Sequence, residues 1–337
     1  MGRATTPRQP SPDQLSLRER TWIGFLAGAA SDIDFVVAIF DHVAFIENHR
    51  GVTHSLLLMP LWAWLLAVAC AFALGRRHPW RAYYGVILLV LFVHILGDLI
   101  TSYGTQILAP LSKWAPGWNT TFIIDLWFSG LLVLGLLASL YWRPRTGAAL
   151  GLAAVTALVL FQYTQYRSAV ELADRWAREQ GYTEYVAEAY PQPWSPFNWL
   201  LVVDRGEHYD LARVNLRRQT LLIMDQDAHP LWRIRETYLP VTQLEWRRHD
   251  QFGPAATAPL AREVWGHDDM AFFRWFANYP ALQAIDQYNG DKCVVFKDLR
   301  FELEGRASPF RYGMCRSAED AEWVLYRMRA GGQRQAL

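Results

Sequence analysis

Residues 82–100 have the sequence AYYGVILLVLFVHILGDLI, a long apolar run that contains His94 and Asp98. Its length is close to the ~20 residues that a helix needs to cross the hydrocarbon core of a bilayer. A histidine and a carboxylate are costly at membrane depth, and their presence there normally marks a functional site. The stretch therefore predicts a membrane protein that carries chemistry inside its helices.

Four more apolar segments of similar length surround this one, namely residues 21–40, 55–74, 121–142 and 147–166. The first of them carries Asp32 and Asp34 near its middle, and the third carries Asp125. A soluble protein could bury such helices in its core, but so many of them in a short stretch favour membrane spans. We predict an α-helical multi-pass membrane domain of about five segments.

The composition changes after residue 166. We predict a polar N-terminal segment (1–20), a membrane domain (21–166), an amphipathic helix with a Pro- and Trp-rich linker (167–200) and a smaller soluble α+β domain (201–337). In the last two parts, NWLLVVD, HYDLARVNL, CVVFKDLRFEL and EWVLYRM have the patterns of strands, and VWGHDDMAFFRWFANY that of a helix.

The composition also argues against some partners and features. The net charge of +1 gives no electrostatic reason to expect nucleic acid as a partner. Residues 1–20 lack an apolar core, so no cleavable signal peptide is expected. The lipid bilayer is the partner that the apolar segments indicate.

The arginines predict which ends of the segments face the cytoplasm. They concentrate in residues 1–20, in the 75–81 loop and in the 143–146 turn, as Arg3, Arg8, Arg18, Arg20, Arg76, Arg77, Arg81, Arg143 and Arg145. The 101–120 loop has a single cation, Lys113. Because cytoplasmic loops are enriched in Lys and Arg, we expect an inner-membrane protein whose C-terminal domain is periplasmic.

This orientation brings the polar residues of the segments together at the outer leaflet. They are Asp32, Asp34, His49, Arg50, His54, His94, Asp98 and Asp125. His94 and Asp98 are four residues apart and therefore face one side of a helix. Asp32 and Asp34 would point apart on a continuous helix, so we expect the helix to break there. Three imidazoles with several carboxylates suit a divalent metal, expected to be zinc.

The predicted metal ligands are Asp32, Asp34, His49, His54, His94 and Asp98. The predicted catalytic groups are Asp34, Arg50 and Asp125, with a carboxylate as general base and Arg50 as a clamp for an anionic oxygen. Other interpretations remain open: His49 and Arg50 as snorkelling interfacial residues, His94 as a core histidine and Asp125 as a helix cap. Ion or proton transport is disfavoured, because the inner-leaflet halves are apolar.

The stretches AGAASDIDF, HRGVTHSLL, HILGDLITSYGTQILAP and IIDLW resemble those of the bacterial membrane-bound metal-dependent hydrolases, which are LexA-regulated inner-membrane proteins. FNWLLVVD and FKDLRFE are similar to the periplasmic extension of many members. That family is distantly similar to zinc-dependent phospholipase C and P1-type nucleases. The resemblance implies hydrolysis of a lipid-linked ester, expected to be a phosphoester, by metal-activated water at the outer face.

The chain departs from this family in one respect. Members open with a short Asp-x-x-Thr-His element whose histidine is an expected ligand, whereas residues 1–20 here contain no histidine. An upstream start or the loss of a ligand would each explain the difference. Loss would favour the alternative function, a non-catalytic membrane protein with a structural metal or headgroup site and a partner-binding periplasmic domain.

The cysteines and two tryptophans give further expectations. Cys293 and Cys315 fall in the predicted periplasmic domain, where disulfides persist, and their strand-like surroundings allow a bond between them. Cys70 lies in a membrane segment and is expected to remain a free thiol. For Trp194 and Trp199, the level of the lipid headgroups and the core of the soluble domain are equally good locations.

Overall fold

A computed structural model describes residues 1–6, 14–225, 227–317, 322–329 and 332–337. Arg8, one of the predicted cytoplasmic arginines, lies outside the described residues. The chain forms two compact units, Met1–Phe40 with Glu47–Tyr163 and Asp41–Ile46 with Thr164–Leu337.

The first unit is helical. The chain from residue 17 to residue 179 forms seven helices, which are α1 (Leu17–Ala30), α2 (Val37–Phe40), α3 (His42–Asn48), α4 (Met59–Ala73), α5 (Trp80–Leu99), α6 (Leu126–Tyr141) and α7 (Pro144–Glu179). Two short 3₁₀ turns, Ser31–Val36 and Val52–His54, interrupt this series. Two of the helices, α3 and α7, contain residues of both units.

The helix break that we predicted at the Asp32–Asp34 pair is present. A capping box opens α1, in which Ser16 accepts from the backbone of Glu19 and the Glu19 side chain accepts from the backbone of Ser16. The α-helical geometry ends at Ala30, and Asp32 has non-helical angles (φ −85°, ψ 15°). The 3₁₀ turn that follows, Ser31–Val36, carries both carboxylates.

Three helical stretches are long and apolar enough to cross a membrane, Leu17–Phe40, Trp80–Leu99 and Pro144–Glu179. The pair His42–His54 and Met59–Ala73, bent by 79°, adds a fourth if it is one broken span. The apolar helix α6 has 16 residues. At 1.5 Å per residue it is about 24 Å long, shorter than the ~30 Å core of a bilayer. The described residues thus contain three or four candidate spans, and the predicted count of about five is not confirmed.

Small side chains bring the first helices together. Ala63, Ala67 and Ala71 lie four residues apart on one face of α4 and are buried against Tyr83 and Ile87 of α5. Small residues at a helix interface allow close approach, which is how helices associate in lipid. This packing fixes α5, the helix that carries His94 and Asp98.

The second unit contains two five-stranded sheets. The first has β1 (Val186–Pro191), β2 (Asn198–Asp204), β3 (His208–Asn215) and β4 (Leu239–Pro240) in that order, with β5 (Arg247–Asp250) also paired to β3. The second has the order β10-β9-β8-β7-β6, from β6 (Pro280–Tyr288), β7 (Asp291–Asp298), β8 (Arg311–Arg316), β9 (Val324–Met328) and β10 (Arg334–Ala336). Three short helices, α8 (Pro230–Arg233), α9 (Ala258–Gly266) and α10 (Ala271–Phe276), come between β3 and β6 along the chain.

The core of the second unit lies on both faces of β2. Its Trp199, Leu201 and Val203 pack with three alanines of α7, which are Ala169, Ala173 and Ala177. The alternate residues Leu200 and Val202 pack with the aromatic and aliphatic side chains of Tyr279 and Leu299. Burial on both faces explains why NWLLVVD is nearly continuous in its hydrophobicity.

The predicted soluble α+β domain is confirmed as a β-rich domain, with two corrections. Residues 186–191, which we expected in the linker, form β1; Pro191 is tolerated there because β1 is the edge strand of its sheet. The amphipathic helix expected after residue 166 is not separate, since α7 continues without a break to Glu179. Its alanine face packs on the first sheet, and this contact keeps the helix regular beyond its apolar part.

The cysteines and the two tryptophans have defined positions in the structure. Cys293 and Cys315 pair directly in the register of β7 and β8 and form a disulfide. Cys70 is a free thiol. Trp199 is buried in the core, with 1% of its surface exposed. Trp194 instead stacks on Trp232, with ring centroids 4.5 Å apart.

Candidate metal centre

Three stretches of the first unit bring seven of the eight predicted polar residues together. The turn after α1 supplies Asp32 and Asp34, the loop after α3 supplies His49, Arg50 and His54, and the last turns of α5 supply His94 and Asp98. Ion pairs and hydrogen bonds connect these residues to one another. Seven of the residues predicted at one membrane depth therefore lie in one cluster.

Two imidazoles and a carboxylate form the centre of this cluster. Nε2 of His54 lies 3.2 Å from Nε2 of His94, and each of these nitrogens lies 3.5 Å from Oδ1 of Asp32. One ligand atom from each of the three residues falls within 4.8 Å of the other two. We call Asp32, His54 and His94 the trio.

Asp98 adds a second carboxylate to the trio. Its Oδ2 atom lies 3.1 Å from Nε2 of His54 and 3.5 Å from Nε2 of His94. The same oxygen is buried and accepts no hydrogen bond within the part of the chain that the structure describes. A buried carboxylate oxygen is normally satisfied, so an unsatisfied one that faces two imidazoles has the geometry of a metal ligand.

The neighbour of His54 sets the orientation of its imidazole. Nδ1 of His54 lies 2.9 Å from Oγ1 of Thr53, and that hydroxyl donates to Oδ2 of Asp34 over 3.3 Å. With the Thr53 proton directed at Asp34, the hydroxyl accepts the Nδ1 proton of His54. Nε2 of His54 then carries the lone pair, directed at the other two members of the trio, as a metal-binding histidine requires.

Arg50 holds Asp98 from the opposite side. Nη2 of Arg50 lies 3.0 Å from Oδ1 of Asp98, and its Nη1 donates to Oγ1 of Thr101 over 2.8 Å. The guanidinium also lies over the ring of Tyr103, 5.2 Å from its centroid. In this structure Arg50 thus binds a carboxylate of the cluster, and its predicted role as a clamp for a substrate oxygen stays a prediction.

The backbone at Arg50 is unusual and well supported. Its φ is 56°, in the left-handed region that non-glycine residues seldom adopt. Its N–H donates to Oδ2 of Asp34 over 3.0 Å, and its carbonyl accepts from the N–H of Gln106 over 2.9 Å. The next residue must be glycine, because a Cβ at Gly51 would lie 2.6 Å from the carbonyl oxygen of Asn48. These contacts hold the turn that separates His49 from His54.

Asp34 and His49 lie beside the trio. Nδ1 of His49 is 3.2 Å from Oδ1 of Asp34, and the ring of His49 packs edge-on to Phe35 and Tyr103. Asp34 also accepts from Arg50 and Thr53 and has 8% of its side chain exposed. It therefore orients the loop, and its predicted catalytic role stays a prediction.

The centre opens at Asp32. Its side chain is 44% exposed, whereas those of His54, Asp98 and His94 are 0%, 14% and 20% exposed. A molecule that approaches the trio meets Asp32 first.

Asp125 is positioned as a helix cap in the structure. Its Oδ1 accepts from the N–H of Phe128 and caps α6, and its Oδ2 accepts from Nε2 of Gln162; both distances are 2.8 Å. This corresponds to the alternative interpretation of Asp125 as a helix cap. We therefore leave it out of the proposed site.

Sequence reasoning missed the residues that support the cluster, namely Thr53, Thr101, Tyr103 and Gln106. Their positions gave a weak signal, since Thr53 precedes His54 and Thr101 follows Asp98 by three residues. Threonine and glutamine are also common in loops of no function, so spacing alone could not select them.

Comparison with known proteins relates the chain to a family of membrane proteins. The model of the family described as YdjM inner membrane protein matches residues 1–169, half of this chain. The uncharacterized protein YfhP of Bacillus subtilis (strain 168) is 32% identical to the chain over 117 residues. That match covers 34% of this chain and 36% of YfhP, so the chain spans about a third of that relative. No solved structure matches the chain.

Proposed function

This chain belongs to the YdjM inner membrane protein family, and from that premise we propose that it is a metal-dependent hydrolase of the inner membrane. The proposed substrate is a lipid-linked ester, in particular a phosphoester. One observation carries the proposal: Nε2 of His54 and of His94 lie 3.2 Å apart, with carboxylate oxygens of Asp32 and Asp98 close to both.

These atoms fit a divalent ion. Four ligands placed tetrahedrally ~2.0–2.1 Å from zinc are roughly 3.3 Å from one another. The separations of the two imidazole nitrogens from each other and from the carboxylate oxygens are 3.1 to 3.5 Å. Imidazole and carboxylate ligands suit zinc or a similar ion. When bound, such an ion would act as a Lewis acid and lower the pKa of a water molecule.

Side chains of the protein would orient the ligands and transfer the proton. Thr53 and Asp34 fix the tautomer of His54, and Arg50 fixes Asp98. His54, His94 and Asp98 would hold the ion, and Asp32, the carboxylate with the greatest exposure, would accept a proton from water beside them. Asp34, a predicted catalytic residue, is not assigned this step, because its oxygens already contact His49, Arg50 and Thr53.

The outer leaflet is the proposed location of the reaction. The predicted cytoplasmic arginines of the 75–81 loop and the 143–146 turn support this orientation. The disulfide between Cys293 and Cys315 supports it as well, because disulfides persist in the periplasm and are rare in the cytosol. A site among membrane helices favours a substrate that is itself part of the bilayer.

Hydrolysis by the purified full-length chain in nanodiscs tests the proposal. The substrates are bis-p-nitrophenyl phosphate and a nitrophenyl phosphodiester with a lipid tail, each assayed with zinc and with a chelator. We expect hydrolysis that the chelator removes and that Asp32→Asn reduces without loss of metal. Asp268→Asn, at an exposed position of the second unit, is the matched control. If metal binds and no ester is cleaved, the alternative of a structural or headgroup-binding centre is supported instead.

A further inference from the structure

Three large apolar side chains are exposed in one connection of the second unit. Leu221, Ile223 and Trp232, in the connection between β3 and β4, are 51%, 85% and 46% exposed. Trp232 also stacks on Trp194, which stands in the connection between β1 and β2. Single exposed apolar residues are normal on soluble domains, whereas a group of them marks an interaction surface. We call these four residues the apolar loop surface.

The connection is anchored to the unit that carries it. Nη1 of Arg218 donates to the carbonyl oxygens of Arg235 and Tyr238 over 2.9 and 2.5 Å. Tyr238 is buried, and so is Ile234, which precedes Arg235. The exposed side chains are therefore presented by an anchored segment.

Arginines lie in the same connection as the apolar loop surface. Arg217 and Arg233 are exposed, and Arg233 also lies 3.6 Å from Glu236. The guanidinium of Arg235 lies 5.9 Å from the ring centroid of Trp232. Tryptophan with arginine is typical of the interface between water and lipid, where the ring lies among the headgroups and the cation meets phosphate. The exposed arginines can thus meet lipid phosphates, although Asp225, Asp227 and Glu236 lie in the same connection.

The second unit follows a predicted membrane span directly along the chain, so the bilayer should lie close to it. The boundary between the two units falls at residue 164, after the first 20 residues of α7. Twenty helical residues are about 30 Å long, the thickness of the hydrocarbon core. The second unit therefore begins where α7 leaves the lipid.

We propose that the apolar loop surface inserts among the headgroups of the phospholipid bilayer, with Arg217 and Arg233 on lipid phosphates. The second unit then rests on the membrane through two attachments, α7 and this surface. The inference does not depend on the metal centre.

A fluorescent probe at Ile223 tests the proposal. The full chain carries Cys70→Ser and Ile223→Cys, is labelled with an environment-sensitive dye and is placed in nanodiscs of phosphatidylethanolamine and phosphatidylglycerol. We expect a blue-shifted emission that doxyl-labelled lipids quench and aqueous iodide does not. The matched control is Val324→Cys on β9, which is 44% exposed and should respond to iodide.

The other results would overturn the proposal. Quenching by iodide at Ile223 would show that the apolar loop surface is exposed to water. A blue shift without quenching by doxyl lipids would show that protein covers the surface. Equal lipid quenching at both positions would mean that the dye itself seeks the bilayer. Arg217→Gln with Arg233→Gln should weaken the lipid quenching at Ile223, and unchanged quenching would refute the arginine–phosphate contacts.

Discussion

The Nε2 atoms of His54 and His94 lie 3.2 Å apart, and His54 is fully buried. Two imidazoles can share one proton at that distance, or both can direct lone pairs to a common cation. The Oδ2 atom of Asp98, 3.1 Å from Nε2 of His54, adds an oxygen ligand that suits the second arrangement. The ligand atoms thus lie close together.

Metal analysis gives the first prediction. Purified full-length protein should carry about one to two equivalents of a divalent metal, and His94→Ala with Asp98→Ala should remove most of it. These two side chains are 20% and 14% exposed, so the variant avoids the fully buried His54. Elemental analysis after gel filtration measures the content. His229→Ala, an exposed histidine of the second unit, is the control. Unchanged metal in the double variant would refute the centre.

Arg50 gives the second prediction. Without its contact to Oδ1 of Asp98, that carboxylate is free to rotate away from the histidines. Arg50→Gln should weaken metal affinity roughly 10- to 100-fold, the usual effect of removing a group that orients a ligand. Competition with a chromophoric chelator measures the affinity, and Lys113→Gln is the control in the outer loop. Unchanged affinity with a lower kcat would instead support the predicted clamp on a substrate oxygen.

The third prediction concerns the contact between α6 and α7. A Cβ at Gly135 would lie 2.6 Å from Cα of Gly151, whereas a Cβ at Gly130 of the same helix meets no atom within 4 Å. Gly135→Ala must push the helices apart and should cost about 1–3 kcal/mol. Gly130→Ala should be neutral or stabilising, since alanine favours helix by up to ~1 kcal/mol over glycine. Thermal melting in detergent compares them, and equal melting temperatures would contradict the close contact.

Much of the cluster was predictable because of where its residues lie in the sequence. His94 and Asp98 share a helix face through their spacing, and the other members had to be at the same membrane depth once the arginines gave an orientation. The hydrogen bonds were not predictable. That Arg50 binds Asp98, and that Asp34 serves the loop, follows from the left-handed turn at Arg50, which depends on long-range contacts such as the one from Gln106.

The errors in the fold prediction have similar causes. Residues 186–191 include Pro191 and alternate poorly, so only their pairing with β2 makes them a strand. The end of α7 loses its apolar character at about residue 167, yet the first sheet holds its alanine face and the helix continues. Pattern analysis of a single segment does not include the neighbour that stabilises it.

The disulfide gives the fourth prediction. Protein that is alkylated in denaturant without reduction should be labelled at Cys70 and unlabelled at Cys293 and Cys315, as mass spectrometry of its peptides would show. Replacing both bonded cysteines by serine should destabilise the second unit by about 2–4 kcal/mol. Cys70→Ser is the control, which should leave the stability of that unit unchanged. Labelling of both cysteines in the unreduced wild type would refute the bond.

The fifth prediction, that of sidedness, depends on whether α6 crosses the membrane. With an N-terminus in the cytoplasm, five crossings leave the second unit outside, and four leave it inside. The helix is short, but it packs along α7 in the opposite direction through Gly135 and Gly151. Its capping residue, Asp125, accepts a hydrogen bond from Gln162, near the residue where α7 should leave the hydrocarbon core. Together with its preceding residues, α6 therefore covers the same height of the membrane as α7, and we expect it to cross.

Single cysteines in the Cys70→Ser background test this expectation in intact spheroplasts with a membrane-impermeant thiol reagent. Lys113→Cys in the 101–120 loop and Ala255→Cys in the second unit should react, because both are exposed positions on the predicted outer side. Arg77→Cys should react only after lysis, and the neighbouring Arg76 and Arg81 keep that loop basic. Reaction at Lys113 without reaction at Ala255 would show that α6 fails to cross, which would place the second unit and its disulfide in the cytoplasm. A complete reversal of the pattern would place the metal centre at the inner leaflet, and the proposed outer-leaflet substrate would then be wrong.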